Sequence, residues 1–516
     1  MSRKPKPKNT LSAGQRAAMF EEEQRRRASE LSSIEAETRE SDVTQPEPEP
    51  EPKKPAPAPQ KKKEKPQAAT VKVDFAVDGG KTNQLPGMCN GPYSQGADIS
   101  PLYSKLRVPY VRFDRTEGAR SGYVLDISKI FPDMSADARD PESYNFRETD
   151  KYILAAANAG AKIIYRLGES FDMSTPEHKL KLHENYDKIT AICVNIIKHY
   201  NDYFAGGFAL GIQDFEVLSH TDLPRVREKN TDGEIFELYT RIANGIKLYD
   251  PSLRVGGMSF SAPSQLVRDF IKYCKKKNAP IDFLSVSLYA SSVEEMGEQI
   301  GQYIHILKNS SYADADIIIG EWAYLPMREG KAGAMDIMRS TSLDNAQQRR
   351  EAFERQRSVF GAAFVAAGLL KMLEYPEIRT ACLESGEASS LWCSICDGFG
   401  IPQKPYFALE AFSRLRSGER RLFCVSEQYE GFAHTGVYAS ASCGEDGAYI
   451  MLSAFDGCAS IDLRLDDIPD NYYTADIYML DGVKNMELCN SIQLSGMKKR
   501  MVLSVSPYSV ILIKVY

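Results

Sequence analysis

From Val71 onward, short apolar runs alternate with helix-like stretches for several hundred residues, and this alternation constrains the chain more than any other feature. A brief apolar run followed by a longer amphipathic one reads as a strand and its crossover helix, the repeat that builds a parallel sheet with both faces covered. Strand candidates are Leu85 to Asn90, Val108 to Asp114, Lys162 to Leu167, Asp214 to Ser219, Arg254 to Gly257, Phe283 to Tyr289, Ile317 to Glu321 and Lys371 to Leu373. Helical segments between them include Phe146 to Ala159, His183 to Tyr203, Ile235 to Leu248 and Gln347 to Ala366. In the first of these, Asn145 and Glu148 stand three apart, the spacing that caps a helix start. Eight such strands fit a closed (β/α)8 barrel.

After about Leu415 the helical pattern stops. Tyr449 to Ser453, Ser460 to Leu465, Tyr473 to Leu480 and Ser504 to Val515 read as short strands between Gly, Asp and Asn turns, the pattern of a small β-sandwich. The early run Val71 to Phe75 is expected to pair with it. Residues 1 to 70 are a different material, rich in Lys and Pro, then Ala, Glu and Arg, then Pro-Glu repeats, without the apolar side chains that offset chain entropy. The expected division is a disordered low-complexity tail over 1–70, the barrel over 71–415 and the β-sandwich over 416–516. The tail reads either as an arm for a protein partner or as a solvated leader.

Composition removes several functions. A formal net charge of -6 and pI near 5.8 give no whole-chain electrostatic handle for nucleic acid. No run approaches the roughly 18 apolar residues of a membrane span. The opening Met-Ser-Arg-Lys-Pro-Lys-Pro-Lys leads into no apolar signal core, so the cytoplasm is the expected compartment. Ten scattered cysteines suit buried free thiols in a reducing environment. Cys393 and Cys396 form a Cys-x-x-Cys without the second pair that a zinc site needs, and neither a metal nor a cofactor is expected.

In a (β/α)8 barrel the reacting groups sit at the C-terminal ends of the strands. Tyr110-Val111-Arg112-Phe113-Asp114 would place Arg112 and Asp114 on one face. Arg166-Leu167-Gly168-Glu169, Ser287-Leu288-Tyr289 and Ile319-Gly320-Glu321-Trp322 close three further strands with polar groups. Glu321 beside Trp322 suits a sugar, the indole for C–H faces and the carboxylate for an anomeric carbon. The plainer reading is a capped strand end, with Glu321 in an ion pair and Trp322 as packing.

Context favours the sugar. Ile127-Phe131-Pro132-Asp133 through Tyr144-Asn145-Phe146 to Thr149-Asp150-Lys151-Tyr152, then Tyr165-Arg166-Leu167-Gly168-Glu169-Ser170, resembles the front half of family 39 glycoside hydrolases, the β-xylosidases and α-L-iduronidases. Leu238-Tyr239 through Asp250-Pro251-Ser252-Leu253-Arg254-Val255-Gly256-Gly257, then Asp282-Phe283 and Ile319-Gly320-Glu321-Trp322, continue the resemblance in order. Pro402-Gln403-Lys404-Pro405-Tyr406-Phe407-Ala408 to Phe412 is similar to the family's closing helix. It covers most of residues 71 to 516 and implies a glycoside or oligosaccharide substrate. It also implies a retaining mechanism, with a nucleophilic Glu ending strand seven, matched by Glu321, and an acid/base Glu in an Asn-Glu-Pro motif ending strand four.

At strand four the chain departs from that pattern. It reads Asp214-Phe215-Glu216-Val217-Leu218-Ser219-His220-Thr221-Asp222, so a gap-free match puts Ser219 in place of Asn and His220 in place of the acid/base Glu. Glu216 would then point into the barrel interior. Ser287 stands where the family carries His, and Asp114 where the second strand ends in His, while Arg112, Glu169, Tyr289 and Trp322 keep family-like positions. An imidazole titrates near pH 6.5 and can move a proton, but its acid is a cation and its base neutral, unlike a carboxyl. Two readings stay open: a weak or altered glycosidase using Glu321 and His220, and a non-catalytic sugar-binding or scaffold protein.

Overall fold

The computed structural model describes residues 68–80, 83–95, 97–116, 123–170, 182–223, 231–326, 330–340, 342–427, 436–455 and 460–516. These all fall within one unit, Lys65–Tyr516. Nearly all of the tail read over 1–70, with its partner-docking role, lies outside the described residues. Eight parallel strands close into a barrel: Gly87–Cys89, Tyr110–Phe113, Lys162–Leu167, Asp214–Val217, Arg254–Phe260, Phe283–Ala290, Asp316–Tyr324 and Ile378–Leu383. They follow one another around the ring, and the eighth pairs with both the seventh and the first.

Seven of these strands lie on the apolar runs read from the sequence. The eighth does not, because Lys371 to Leu373 closes the helix Val359–Met372. That helix is apolar almost all the way round, so periodicity cannot mark its end. The true strand, Ile378–Leu383, is interrupted by Arg379 and Thr380. The helix expected over Gln347 to Ala366 is two, Ala346–Arg357 and Val359–Met372, divided at Ser358, whose hydroxyl accepts from the Phe360 amide at 3.2 Å. The cap expected from Asn145 and Glu148 is not made. The helix Thr149–Asn158 begins without a side-chain cap, and Glu148 pairs with Lys151 at 2.8 Å instead.

A second sheet has nine strands and curls over its own core of Val71, Val73, Ile450, Leu463, Ile511 and Ile513. Its strand Ala68–Asp78 runs antiparallel to Arg420–Glu427 and parallel to Ser460–Asp466. Val71 to Phe75 therefore pairs with the C-terminal strands, as expected, and belongs to this sheet rather than to the barrel. Ser504 to Val515 is two strands, Lys499–Ser504 and Ser509–Val515, separated by a turn in which Tyr508 takes a φ of 66°. The helix Val359–Met372 is buried because the sheet covers its outer side, with Phe455 packed on Phe360 and Phe364 at 5.3 and 5.6 Å. Among the described residues no helix is long and apolar enough to cross a membrane.

Side chains fill the barrel in layers. Cys89, Tyr110, Ile164, Phe283, Ile318 and Cys382 form an apolar one. Arg112, Glu216 and Ser285 are also fully buried, so a charged group lies inside the ring.

Candidate active site

A buried guanidinium is costly unless nearly every donor is paired. Arg112, inward on the second strand, meets that condition. Its Nε donates to Glu216 Oε2 at 2.6 Å and its Nη2 to Glu216 Oε1 at 3.1 Å. Nη1 reaches Glu321 Oε1 at 3.2 Å and Nη2 reaches Ser219 Oγ at 3.3 Å. Asp114 Oδ2 lies 3.4 Å from Nη2, on the same face as the alternation required. Glu216 points inward and accepts a further bond from Ser285 Oγ at 2.5 Å.

The seventh strand carries a bulge. Ile319 stands against Val286 but Glu321 against Ser287, so Gly320 is the extra residue. A side chain there would place its Cβ 2.7 Å from Arg112 Nε, so glycine lets the guanidinium pass. The bulge also resets the alternation: Glu321 turns into the barrel and Trp322 turns out. Trp322 is fully buried, with its ring 6.3 Å from Phe364, and packs in the core behind the strand. The expectation that its indole offers a face to a sugar is therefore corrected.

Glu321 accepts from four side chains. Arg115 Nη2 lies 2.9 Å from each of its oxygens, Tyr289 OH donates to Oε2 at 2.9 Å, and Arg112 supplies the bond already described. His220 Nε2 stands 3.0 Å from Oε1. Burial alone would raise this carboxyl, but the Arg115 charge, the His220 charge and hydrogen bond, and the Arg112 charge hold it well below its ordinary value.

His220 reaches that point through an unusual backbone. Leu218 and His220 take φ of 61° and 53°, left-handed conformations costing about 1–3 kcal/mol each for residues with a Cβ. They flank Ser219 and turn the end of the fourth strand over the mouth of the ring. Ser219 Oγ donates to Asp114 Oδ2 at 2.8 Å, and Arg166 Nε donates to Asp114 Oδ1 at 3.0 Å. Burial opposes ionisation of Asp114 too, yet Arg112, Arg166 and Arg115 keep its carboxyl below the usual range.

Two other candidates stand apart from this cluster. Glu169 accepts from Ser128 Oγ at 2.5 Å and from the Ser128 amide at 3.1 Å, and burial with the nearby Asp126 charge pushes it up to about 7. Ser287 exchanges a hydrogen bond with Ser259 Oγ at 2.9 Å. The structure thus gathers Arg112, Asp114, Ser219, His220, Tyr289 and Glu321, and leaves Glu169, Ser287 and Trp322 in other contacts.

Sequence reasoning missed Arg115, Glu384 and Trp392. Arg115 directly follows the Arg-Phe-Asp strand end and could have been found there. Glu384 follows the eighth strand and was hidden when that strand was misplaced. Trp392 is half-buried, its ring 5.7 Å from that of Tyr289 and edge-on. By distance, Asp114, His220 and Glu321, or Cys89, Glu321 and Glu384, could ligate a metal ion. Both sets share Glu321, whose charge Arg112 and Arg115 already balance, so the donors are matched to guanidinium rather than to a metal ion.

Residues 106–326 match the family model of Glycosyl hydrolases family 39. A β-xylosidase of Geobacillus stearothermophilus is 28% identical over 194 residues, a match covering 33% of this chain and 35% of that protein. Among solved structures, a glucosidase from Croceicoccus marinus superposes with a TM-score of 0.68 at 20% identity, over 87% of this chain and 99% of that one. A monomeric β-xylosidase from Caulobacter crescentus CB15 gives 0.58 at 16% identity, over 87% and 99%. At these identities the structural likeness establishes the fold.

Proposed function

On the premise that this chain belongs, through residues 106–326, to glycosyl hydrolases family 39, we propose that its barrel mouth acts on glycosides with Glu321 as the nucleophile. The carrying observation is the setting of that carboxylate: aimed into the mouth, supported by Tyr289 OH at 2.9 Å and Arg112 Nη1 at 3.2 Å, and surrounded by charges that favour its ionised form against burial. Such a group can attack an anomeric carbon while the supports hold its orientation. Ser219 and His220 stand where the resemblance places the Asn and the acid/base Glu. The β-xylosidases among the relatives make a β-xyloside the first substrate to try. The buried free thiols, Cys89, Cys193, Cys274 and Cys382 among them, support a cytoplasmic setting.

The test is pre-steady-state kinetics with 2,4-dinitrophenyl glycosides, whose leaving group departs without a proton. A burst of one dinitrophenolate per chain is expected from at least one of the pentosides, hexosides and uronides, and its absence from all three classes ends this reading.

A second reading, a non-catalytic glycoside-binding or scaffold protein, is favoured by Arg115. Its Nη2 covers both Glu321 oxygens, and His220 touches Oε1, so a sugar must displace the guanidinium before C1 can reach the carboxylate. Calorimetric titration that detects oligosaccharide binding, together with no burst, would select this alternative.

A further inference from the structure

Retaining glycosidases hold their two carboxyl groups about 5–5.5 Å apart, leaving room for the bond being cleaved. His220 and Glu321 do not keep that spacing, because Nε2 is in hydrogen-bond contact with Oε1 at 3.0 Å. Glu384 is a second carboxyl facing Glu321. It follows the eighth strand, its amide donates to Trp322 O at 2.9 Å, and a carboxylate oxygen lies within 4.8 Å of one on Glu321. Glu384 Oε2 is buried and has no hydrogen-bond partner in the structure.

Building on the glycosidase reading above, we propose that Glu384 just after the eighth strand, and not His220 just after the fourth, exchanges the proton with the leaving group and with water. Two carboxylates this close cannot both ionise freely. Glu321 has Arg115, Arg112 and His220 to stabilise its charge, so the proton stays on Glu384. Burial and then the Glu321 charge push Glu384 up to about 7, against the lowering effect of Arg115, the Cys89 thiol and Arg112 around it. Environments that drive two neighbouring carboxyls apart in this way separate a nucleophile from an acid.

The chemistry closes on these two residues. A Glu321 oxygen bonds to C1, the C1–O bond breaks with its electron pair on the leaving oxygen, and that oxygen takes the Glu384 proton. A glycosyl ester on Glu321, a free alcohol and a Glu384 carboxylate result. Glu384 then removes a proton from water as the water oxygen bonds to C1, and the ester bond returns its electron pair to Glu321. The sum is glycoside plus water giving sugar plus alcohol, with both carboxyls restored.

The experiment compares Glu384→Gln with His220→Ala, using the 2,4-dinitrophenyl glycoside that gives a burst and the phenyl glycoside of the same sugar. Glu384→Gln should lose about 10²- to 10⁴-fold in phenyl glycoside turnover. With the dinitrophenyl glycoside it should still burst, then stall at the ester until added azide releases a glycosyl azide. Glu384→Asp serves if the amide variant does not fold. Difference infrared spectroscopy of the full chain should lose a protonated carboxyl band, titrating near pH 7, on Glu384→Gln. Azide rescue in His220→Ala and not in Glu384→Gln would overturn the proposal, as would an unchanged infrared band. No burst from the wild-type chain would overturn the glycosidase reading itself, whatever the infrared result.

Discussion

His220 Nε2 and Glu321 Oε1 stand 3.0 Å apart across the barrel mouth, joined where a retaining pair keeps a gap. The imidazole therefore acts on the carboxylate, helping to hold it ionised. In His220→Ala the Glu321 carboxyl should titrate at higher pH, and the acidic limb of the burst rate should move up with it. A pH–rate profile of the burst checks this. An unmoved acidic limb would mean that Arg115 and Arg112 suffice.

Glu216 tests the buried charge layer. It balances Arg112 through two hydrogen bonds, and neither residue is exposed at all. Glu216→Ala leaves the guanidinium with less counter-charge and should cost about 3–5 kcal/mol of stability, the usual penalty for breaking a buried pair. Urea denaturation at neutral pH measures it, and a loss below about 1 kcal/mol would show the layer to be redundant.

Glu169 sets a pH dependence of stability. Its carboxyl is raised from an ordinary 4.5 to about 7, so the folded chain binds this proton more tightly than the unfolded chain does. Its contribution is full below about pH 4.5 and is lost as the pH rises through about 7. Asp114 and Glu321, held low, act in the opposite sense, contributing above the ordinary carboxylate range and losing that contribution on acidification through their lowered values. Glu169→Gln should flatten the fall in unfolding free energy between pH 4.5 and 7. Urea melts across that range would contradict this if variant and wild type decline in parallel.

Trp322 is a core residue and should behave as one. Trp322→Ala removes a fully buried indole and should cost about 3–5 kcal/mol. The half-buried Trp392 should show the reverse, with Trp392→Ala weakening glycoside affinity more than stability. Calorimetric titration beside chemical denaturation separates the two effects. A sugar-affinity loss in a well-folded Trp322→Phe variant would return that residue to the site.

How much of this was legible in the sequence follows from which signals are local. The strand ends Arg112-Phe113-Asp114 and Ile319-Gly320-Glu321 were readable because each is a polar group closing an apolar run. The outward turn of Trp322 was not, because a bulge at Gly320 depends on the Arg112 side chain arriving from another strand. The interior place of Glu216 followed from simple alternation. Glu384 was lost with its strand, because the all-round apolar helix Val359–Met372 has no face for periodicity to detect, and the sheet that covers it is remote in sequence. Arg115 was a different case: its place just after Arg112-Phe113-Asp114 marked it as a candidate, while the fold of its side chain back over Glu321 is a contact between two strand ends far apart in sequence.

The most direct measurement of the central claim is mass spectrometry after incubation with 2-deoxy-2-fluoro 2,4-dinitrophenyl glycosides of pentoses and hexoses, which slow release of the sugar from its ester. The account predicts a gain of one fluoroglycosyl group per chain, mapped to the peptide containing Glu321 and absent in Glu321→Gln. A label on another residue, or a fully unlabelled chain after exposure to every sugar in the set, would contradict it.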